Sequence, residues 1–162
     1  VTRTPMSLAD AVSGRVAIPG RETTAYRLLR LAAPQLDRVV EMRYDRILHA
    51  VSSGDVQAGL IIHESRFTYA EHGLHQAIDL GDWWERETNL PVPLAGICAR
   101  ADIDANTAAD HPEASRDYVR AHAQEMSDAV CAQHIALYVN EHSLDIGDDG
   151  MRAIARLVSD AR

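Results

Sequence analysis

Short apolar segments typical of β-strands alternate with amphipathic segments typical of α-helices over the first hundred residues. This alternation predicts an α/β fold, in which helices cover a sheet, rather than a helix bundle or a β-sandwich. Residues 56–62 form a long apolar run with β-branched side chains at its end, which is typical of a central parallel strand covered on both faces. The other predicted strands are residues 15–18, 39–40, 74–80 and 92–98.

Local signals place helices between these strands. Ser7 and Asp10 stand three residues apart, a spacing typical of a capping box at the start of a short helix. A second helix is predicted to begin near Thr23 or Thr24 and to end before Pro34, because apolar residues recur at helical spacing between them.

Two more helices are predicted within the first hundred residues. Apolar side chains at positions 47, 48 and 51 indicate a helix that ends at Gly54, since glycine is favoured just after a helix. Asp82 is predicted to cap a short helix that carries Trp83 and Trp84, with one indole packed and the other half-exposed.

Beyond Arg100 the pattern is helical only. Helices are predicted over residues 114–125 and 127–139, followed by a final helix with an apolar stripe. The stripe consists of Met151, Ile154, Leu157 and Val158. The predicted organisation is therefore an α/β substrate-binding lobe over residues 1–100 and a helical C-terminal extension over residues 101–162.

The charge of the chain argues against several functional classes. Sixteen basic and twenty-four acidic side chains give a formal net charge of −8 at pH 7. Since no run of like charge concentrates it, neither nucleic acid nor an anionic membrane is an expected partner. All sixteen basic residues are arginine, which excludes Schiff-base chemistry and any P-loop that needs its lysine.

Cysteine usage and hydropathy indicate the compartment. Cys98 and Cys131 lie far apart in apolar surroundings, which is typical of reduced thiols rather than of a disulfide framework or a zinc knuckle. The longest apolar run, residues 58–62, is too short to span a bilayer, and residues 1–8 lack the apolar core of a signal peptide. We therefore predict a cytoplasmic protein.

The strongest local arrangement is Pro-Gly-Arg-Glu-Thr-Thr at residues 19–24, between a predicted strand and a predicted helix. A helix N-terminus presents unpaired N–H groups that bind anions, and the hydroxyl groups of Thr23 and Thr24 add donors beside them. A carboxylate or a phosphate fits such a site. The alternative is that one threonine only caps the helix.

His63 is the second candidate, because ligands of open α/β sheets bind outside the carboxyl ends of the strands. A histidine there is suited to act as a general base near neutral pH. The alternative is a histidine that ends a buried strand and is hydrogen-bonded to a loop. Glu64 either orients His63, binds substrate or faces water, and Ser65 lacks the G-x-S-x-G motif of an acyl-transfer nucleophile.

The eight histidines raise the question of a metal site, above all His63, His72 and His75. Their spacing matches neither the H-E-x-x-H motif nor paired C-x-x-C motifs, so no metal site is predicted.

Four longer segments together resemble one family, the 1,4-dihydroxy-6-naphthoate synthases, which are the cyclic dehypoxanthinyl futalosine lyases of the futalosine route to menaquinone. The resemblance extends from about Gly14 to the C-terminus. Its most specific motifs are PGRETTA at residues 19–25 and LIIHESRFTY at residues 60–69. The four segments are VAIPGRETTAYRLLRLAAP, EMRYDRILHAVSSGDVQAGLIIHESRFTYAEHGL, DLGDWWERETNLPVPLAGI and YVRAHAQEMSDAVCAQHIALYVNEHSLDIGDDG.

The resemblance implies a two-lobed fold like that of the periplasmic binding proteins of type II, with a small-molecule substrate held between the lobes. It also implies that His63 is the catalytic base that abstracts a proton, and that Thr23 and Thr24 contact the substrate. The family reaction breaks carbon–carbon connectivity in cyclic dehypoxanthinyl futalosine and releases the aromatic naphthoate, with neither a metal nor an organic cofactor.

Family members also have a first lobe that supplies substrate contacts, whereas Val1 stands close to the expected crossover into the second lobe. Half of the cleft is then expected from the rest of a longer chain, from a separate polypeptide or from a second copy in a homodimer; a chain that has lost activity is a further interpretation. The competing hypothesis is a non-catalytic small-molecule-binding lobe of the solute-binding type, in which His63 is a structural residue.

Overall fold

The computed structural model describes residues 1–63, 65–94, 142 and 145–159. The helices predicted over residues 114–125 and 127–139 lie outside this part of the chain.

The chain divides into two compact units. The first comprises Val1–Pro93 and Asp149–Arg162, and the second comprises Leu94–Asp148. The strands of the described residues all belong to the first unit, and so do Thr23, Thr24 and His63. The predicted division into residues 1–100 and 101–162 stays a prediction.

A parallel sheet lies at the centre of the first unit. Strand β1 (Val16–Ile18) lies between β2 (Val39–Glu41) and β3 (Ala58–Gly59), so the strand order is β2-β1-β3. Val16 is aligned with Val39 on one side and with Ala58 on the other. Because the three strands run in one direction, their carboxyl ends meet at the same edge of the sheet.

The N-terminal residues extend the sheet beyond β3. Thr2 forms antiparallel bridges with Ala58 and with His75. The N–H of Thr2 donates to the carbonyl of His75 and the N–H of His75 donates back, both at 2.8 Å. Strand β3 therefore has a neighbour on each side, although β1 is the central strand of the parallel ladder.

Two strand predictions need correction, and a third lies mostly outside the described residues. The strand predicted over residues 56–62 is shorter in the structure, where β3 comprises only Ala58–Gly59. The strand predicted over residues 74–80 is wrong, because only His75 is paired and a helix has already begun at Leu80. Residues 92–94 form no strand, and the rest of the strand predicted over residues 92–98 lies outside the described residues.

Successive side chains of β1 face two different helical layers. Val16 and Ile18 pack with Leu29 on one face of the sheet, whereas Ala17 packs with Ile47 and Val51 on the other. Such burial on both faces is typical of parallel sheets.

The first two helices confirm the predicted caps. Helix α1 (Leu8–Ala11) follows Ser7, whose hydroxyl accepts a hydrogen bond from the N–H of Asp10 at 3.2 Å. Helix α2 (Thr24–Ala32) follows Thr23, whose hydroxyl accepts from the N–H of Tyr26 at 3.2 Å. Each hydroxyl satisfies one of the N–H groups that a helix start leaves without a partner.

Helix α3 (Tyr44–Ser53) ends at Gly54, as predicted. Gly54 has a φ of 83°, in the left-handed region, and its N–H donates to the carbonyl of Val51. A glycine adopts this conformation without steric cost, which is why it is favoured at this position. The α3 helix connects β2 to β3 and packs against β1 and β3.

Helix α4 (Ser65–Thr68) and a 3₁₀ helix (Tyr69–His72) follow β3 and precede helix α5 (Leu80–Thr88). The cap of α5 is Asp79 rather than the predicted Asp82: one carboxylate oxygen of Asp79 accepts from the N–H of Gly81 at 2.9 Å and from that of Asp82 at 3.3 Å. On α5, Trp84 is buried and Trp83 is partly buried, which confirms the predicted division between the two indoles.

Helix α6 (Gly147–Ser159) confirms the predicted final helix but not its buried face. Ala153 and Leu157 pack with Trp84, whereas Met151 is 57% exposed. Ile154 and Val158 are exposed as well, so three of the four residues of the predicted stripe face outward. The small residues Gly150 and Ala153 let the helix approach its neighbours closely, and this places the buried face at positions 150, 153 and 157.

None of the helices in the described part of the chain is long and apolar enough to cross a membrane.

Candidate active site

The carboxyl edge of the parallel sheet gathers the predicted site residues. Thr23 and Thr24 follow β1, and His63 follows β3, which is the strand beside β1. Adjacent strands lie about 5 Å apart, so the segments that leave them are close neighbours. Backbone hydrogen bonds continue past the strand ends, from the N–H of Met42 to the carbonyl of Ile18 at 3.0 Å and from the N–H of Leu60 to the carbonyl of Ala17 at 2.8 Å.

His63 has an unusual backbone conformation. Its φ is 58°, in the left-handed region that few residues other than glycine adopt, although histidine, asparagine and aspartate tolerate it best. Its carbonyl accepts a hydrogen bond from the N–H of Arg66 at 3.3 Å, at the start of α4. A non-glycine residue in this region costs about 1–3 kcal/mol, and such residues cluster at functional sites.

The side chain of His63 is exposed, and within the described residues neither ring nitrogen forms a hydrogen bond. The interpretation of His63 as a buried residue bonded to a loop therefore finds no support in this part of the chain. As far as the described residues go, both nitrogens are available to a ligand. Glu64, whose role beside His63 the sequence left open, lies outside the described residues.

The His63 ring contacts the ring of Tyr44. Their centroids lie 5.0 Å apart with an angle of 67° between the planes, an edge-to-face arrangement. Tyr44 is the first residue of α3, and sequence reasoning missed it. The available signal was its position shortly after β2, since the residues that follow the strands of a parallel sheet all lie at one edge.

Thr23 fills the capping role that was one of its two predicted interpretations. Besides accepting from Tyr26, its hydroxyl donates to the carbonyl of Gly20 at 2.8 Å. Thr24 begins α2 and is partly buried, and the N–H of Ala25 has no hydrogen-bond partner among the described residues. The helix start therefore keeps a donor for an anionic or polar group, and contact of Thr23 and Thr24 with substrate stays a prediction.

Two exposed ion pairs stand at the same edge. Arg21 pairs with Glu41 at 2.8 Å, and Arg43 pairs with Asp45 at 3.0 Å. Exposed pairs of this kind contribute little to stability. Either guanidinium can therefore exchange its carboxylate for an anionic ligand at small cost.

No three side chains of the types histidine, cysteine, aspartate and glutamate converge on a metal-binding position within the described residues. His72 ends the 3₁₀ helix and His75 pairs with Thr2 through its backbone.

A surface cavity of about 460 Å³ lies at the opposite, amino edge of the sheet. Its lining includes Arg15, which precedes β1, and Gln57, which precedes β3. The His63 ring is not part of this cavity, whose lining is polar and open.

Comparison with known proteins gives a consistent result. A family described as menaquinone biosynthesis matches the chain over residues 1–162. The chain is 51% identical over 175 residues to a 1,4-dihydroxy-6-naphtoate synthase of Thermus thermophilus. The alignment covers 99% of this chain and 63% of the relative. It is 45% identical over 172 residues to a 1,4-dihydroxy-6-naphtoate synthase of Streptomyces coelicolor, in an alignment that covers 94% of this chain and 61% of the relative.

A solved structure is also similar. The crystal structure of a protein from Archaeoglobus fulgidus superimposes with a TM-score of 0.83 at 31% identity, over 99% of this chain and 64% of that protein. The chain thus spans less than two thirds of the length of each of these relatives.

Proposed function

Since the chain belongs to the menaquinone biosynthesis family, we propose that it carries the catalytic base of a carbon–carbon lyase that forms 1,4-dihydroxy-6-naphthoate from cyclic dehypoxanthinyl futalosine. The synthases of Thermus thermophilus and Streptomyces coelicolor support this proposal through their similarity over nearly the whole chain. The observation that carries it is the exposed His63 at the carboxyl edge of the sheet. His63 follows β3, and β3 lies next to β1, the strand that leads to α2.

In this proposal His63 accepts a proton from a carbon atom of the substrate. The electron pair left behind forms a carbon–carbon π bond while a carbon–carbon bond of the substrate breaks. The pair of the broken bond stays on the departing fragment, which takes up a proton, and the aromatic naphthoate is released. General-base catalysis needs a side chain that is held in place and has a free ring nitrogen. The backbone of His63 fixes the direction in which its side chain leaves the chain, and neither ring nitrogen forms a hydrogen bond within the described residues.

The start of α2 binds the polar part of the substrate in this proposal. The N–H of Ala25, which has no partner among the described residues, and the positive end of the helix dipole favour a carboxylate, and the naphthoate product carries one. Thr23 shapes this anchor by capping the helix, and the Thr24 hydroxyl lies one residue further along the same turn.

We further propose that the first unit is one lobe of a periplasmic-binding-protein-like fold of type II. The parallel sheet with helices on both faces supports this assignment. The rest of the relatives' length, more than a third, then supplies the other wall of the cleft. As a biosynthetic enzyme, the protein is proposed to work in the cytoplasm.

The test is conversion of cyclic dehypoxanthinyl futalosine by the purified protein that contains this chain, with the naphthoate measured by chromatography. The decisive variant is His63→Asn, because asparagine tolerates the left-handed backbone and so removes the imidazole without added strain. We expect kcat to fall by about 10²–10⁴-fold, the usual effect of losing a general base.

His72→Asn is the matched control, since it makes the same chemical change at an exposed histidine of the 3₁₀ helix that has no proposed role in the site. It is expected to keep the kcat of the unmodified protein. Unchanged kcat in His63→Asn would overturn the base assignment. Tight binding of the substrate without any turnover by the unmodified protein would instead favour the non-catalytic binding lobe.

A further inference from the structure

Few contacts within the described residues restrain the side chain of His63. It is exposed, and no hydrogen bond within the described residues restrains its ring. Its backbone is fixed, because the left-handed φ and the hydrogen bond from Arg66 to its carbonyl set the direction in which the side chain leaves the chain. Rotation of the imidazole about its own side-chain bonds is a separate freedom, and the backbone does not remove it.

Tyr44 supplies the missing restraint. Its ring meets the His63 ring edge-to-face at a centroid distance of 5.0 Å, within the range in which aromatic pairs attract each other. This is the one ring–ring contact of His63 within the described residues. An aromatic neighbour restricts the ring's rotation while leaving both nitrogens free of hydrogen bonds, which a polar partner would not do.

Tyr44 itself is firmly placed. It is the first residue of α3, and Ile47 and Val51 anchor this helix in the core against the sheet. Just before it, the N–H of Met42 donates to the carbonyl of Ile18 at the end of β1. The position of the Tyr44 ring is therefore set by the same sheet edge that sets His63.

The hydroxyl group of Tyr44 forms no hydrogen bond with any described residue. The contact with His63 is thus made by the ring alone, and a phenylalanine would make it equally well. This separates a positioning role from a direct role of the phenol in proton transfer.

We infer that Tyr44 is a positioning residue that fixes the orientation of the His63 imidazole for proton abstraction. This inference rests on the proposed function of His63 as the base. Tyr44 acts through His63 and has no effect of its own on the reacting atoms.

The first test measures the contact without any catalysis. The carbon-bound ring protons of His63 are followed by NMR in protein labelled with isotopes at histidine, in the unmodified chain and in the Tyr44→Leu and Tyr44→Phe variants. We expect the His63 ring signals to move in Tyr44→Leu, because the ring current of the tyrosine is lost, and to stay nearly in place in Tyr44→Phe. The signals of His72 provide the internal control. Unmoved His63 signals in Tyr44→Leu would overturn the inference.

The second test measures catalysis in the same variants. Tyr44→Leu is expected to lower kcat by about 3- to 10-fold, the loss that corresponds to an aromatic pair, with a smaller change in KM. Tyr44→Phe is expected to restore kcat. The matched control is Tyr69→Leu, which removes another partly buried tyrosine that packs against the core and makes no ring–ring contact with His63. It is expected to keep kcat.

A double-mutant cycle distinguishes this inference from the proposed function. In the His63→Asn background, Tyr44→Leu is expected to cause no further loss of kcat, since the residue through which it acts is gone. An additive loss, or a loss in Tyr44→Phe as large as in Tyr44→Leu, would overturn the positioning role. Wild-type kcat in Tyr44→Leu beside an inactive His63→Asn variant overturns this inference alone. An active His63→Asn variant overturns the base assignment, whereas the NMR shift still reports the ring contact.

Discussion

Gly59 in β3 offers a sharp test of the packing that delivers His63 to the edge of the sheet. Strand β3 lies against α3, and the face of the strand at Gly59 is covered by Ile47 and Val51. A Cβ placed on Gly59 would lie 2.5 Å from Cγ2 of Ile47 and 2.7 Å from Cγ2 of Val51. The substitution Gly59→Ala therefore forces α3 and β3 apart.

The cost follows from these distances. Carbon atoms in contact prefer a separation of about 3.5–4.0 Å, so the two clashes require a movement of roughly 1 Å. Overpacking of this size in a well-packed core costs about 1–3 kcal/mol, and the loss of glycine's freedom in the unfolded chain returns about 0.4–1 kcal/mol. We expect a net loss of about 1–2 kcal/mol in the free energy of unfolding, or a Tm lower by about 2–8 °C.

Denaturant unfolding followed by the fluorescence of the buried Trp84 measures this loss. Ile47→Leu provides the matched partner, because leucine has the same number of carbons as isoleucine but lacks its Cγ2 atom. The double variant is expected to be more stable than the sum of the two single changes predicts, as contacting residues are when one relieves the other. A Gly59→Ala variant as stable as the unmodified protein would refute the close approach of α3 to β3.

Two further predictions concern other contacts of the first unit. Asp79 caps α5 and also accepts a hydrogen bond from Arg66 at 2.7 Å. Asp79→Ala is therefore expected to lower the free energy of unfolding by about 1–3 kcal/mol, measured by thermal or denaturant unfolding, whereas Asp79→Asn keeps the cap and loses only the smaller contribution of the ion pair. Equal losses in the two variants would contradict this division. On α6, Leu157→Ala is expected to cost about 2–4 kcal/mol and Met151→Ala at most about 0.5 kcal/mol, because only Leu157 is buried; the reverse order would show that the predicted apolar stripe is the buried face after all.

Elements whose signals are local were predicted well. The cap at Thr23, the end of α2 before Pro34 and the end of α3 at Gly54 all agree with the sequence pattern. In each case the signal and the structure it forms are within one helical turn of each other. Backbone geometry and a single side chain are then enough to set the boundary.

Elements that depend on distant partners were predicted poorly. Residues 74–80 have a strand-like pattern, but His75 finds its partner at Thr2, far away along the chain, and Asp79 begins a helix instead. On α6 the apolar pattern favoured Met151, whereas the surface that receives the helix accepts the small Gly150 and Ala153. The local sequence pattern specifies neither the partner of a strand nor the shape of the surface against which a helix packs.

The site itself was half predictable, and the missing half has a physical reason. His63 was found because a polar residue after an apolar strand is visible in the sequence. Tyr44 was not, because nothing around it marks a partner nineteen residues further on; the two rings meet only because α3 crosses from β2 over β1 to β3. Once the strands are known to be parallel, however, the residues that follow each strand must share one edge, and Tyr44 comes shortly after β2. Side chains that assist a base in such a fold are therefore best sought after every parallel strand of the sheet, including one that is not paired with the strand that precedes the base.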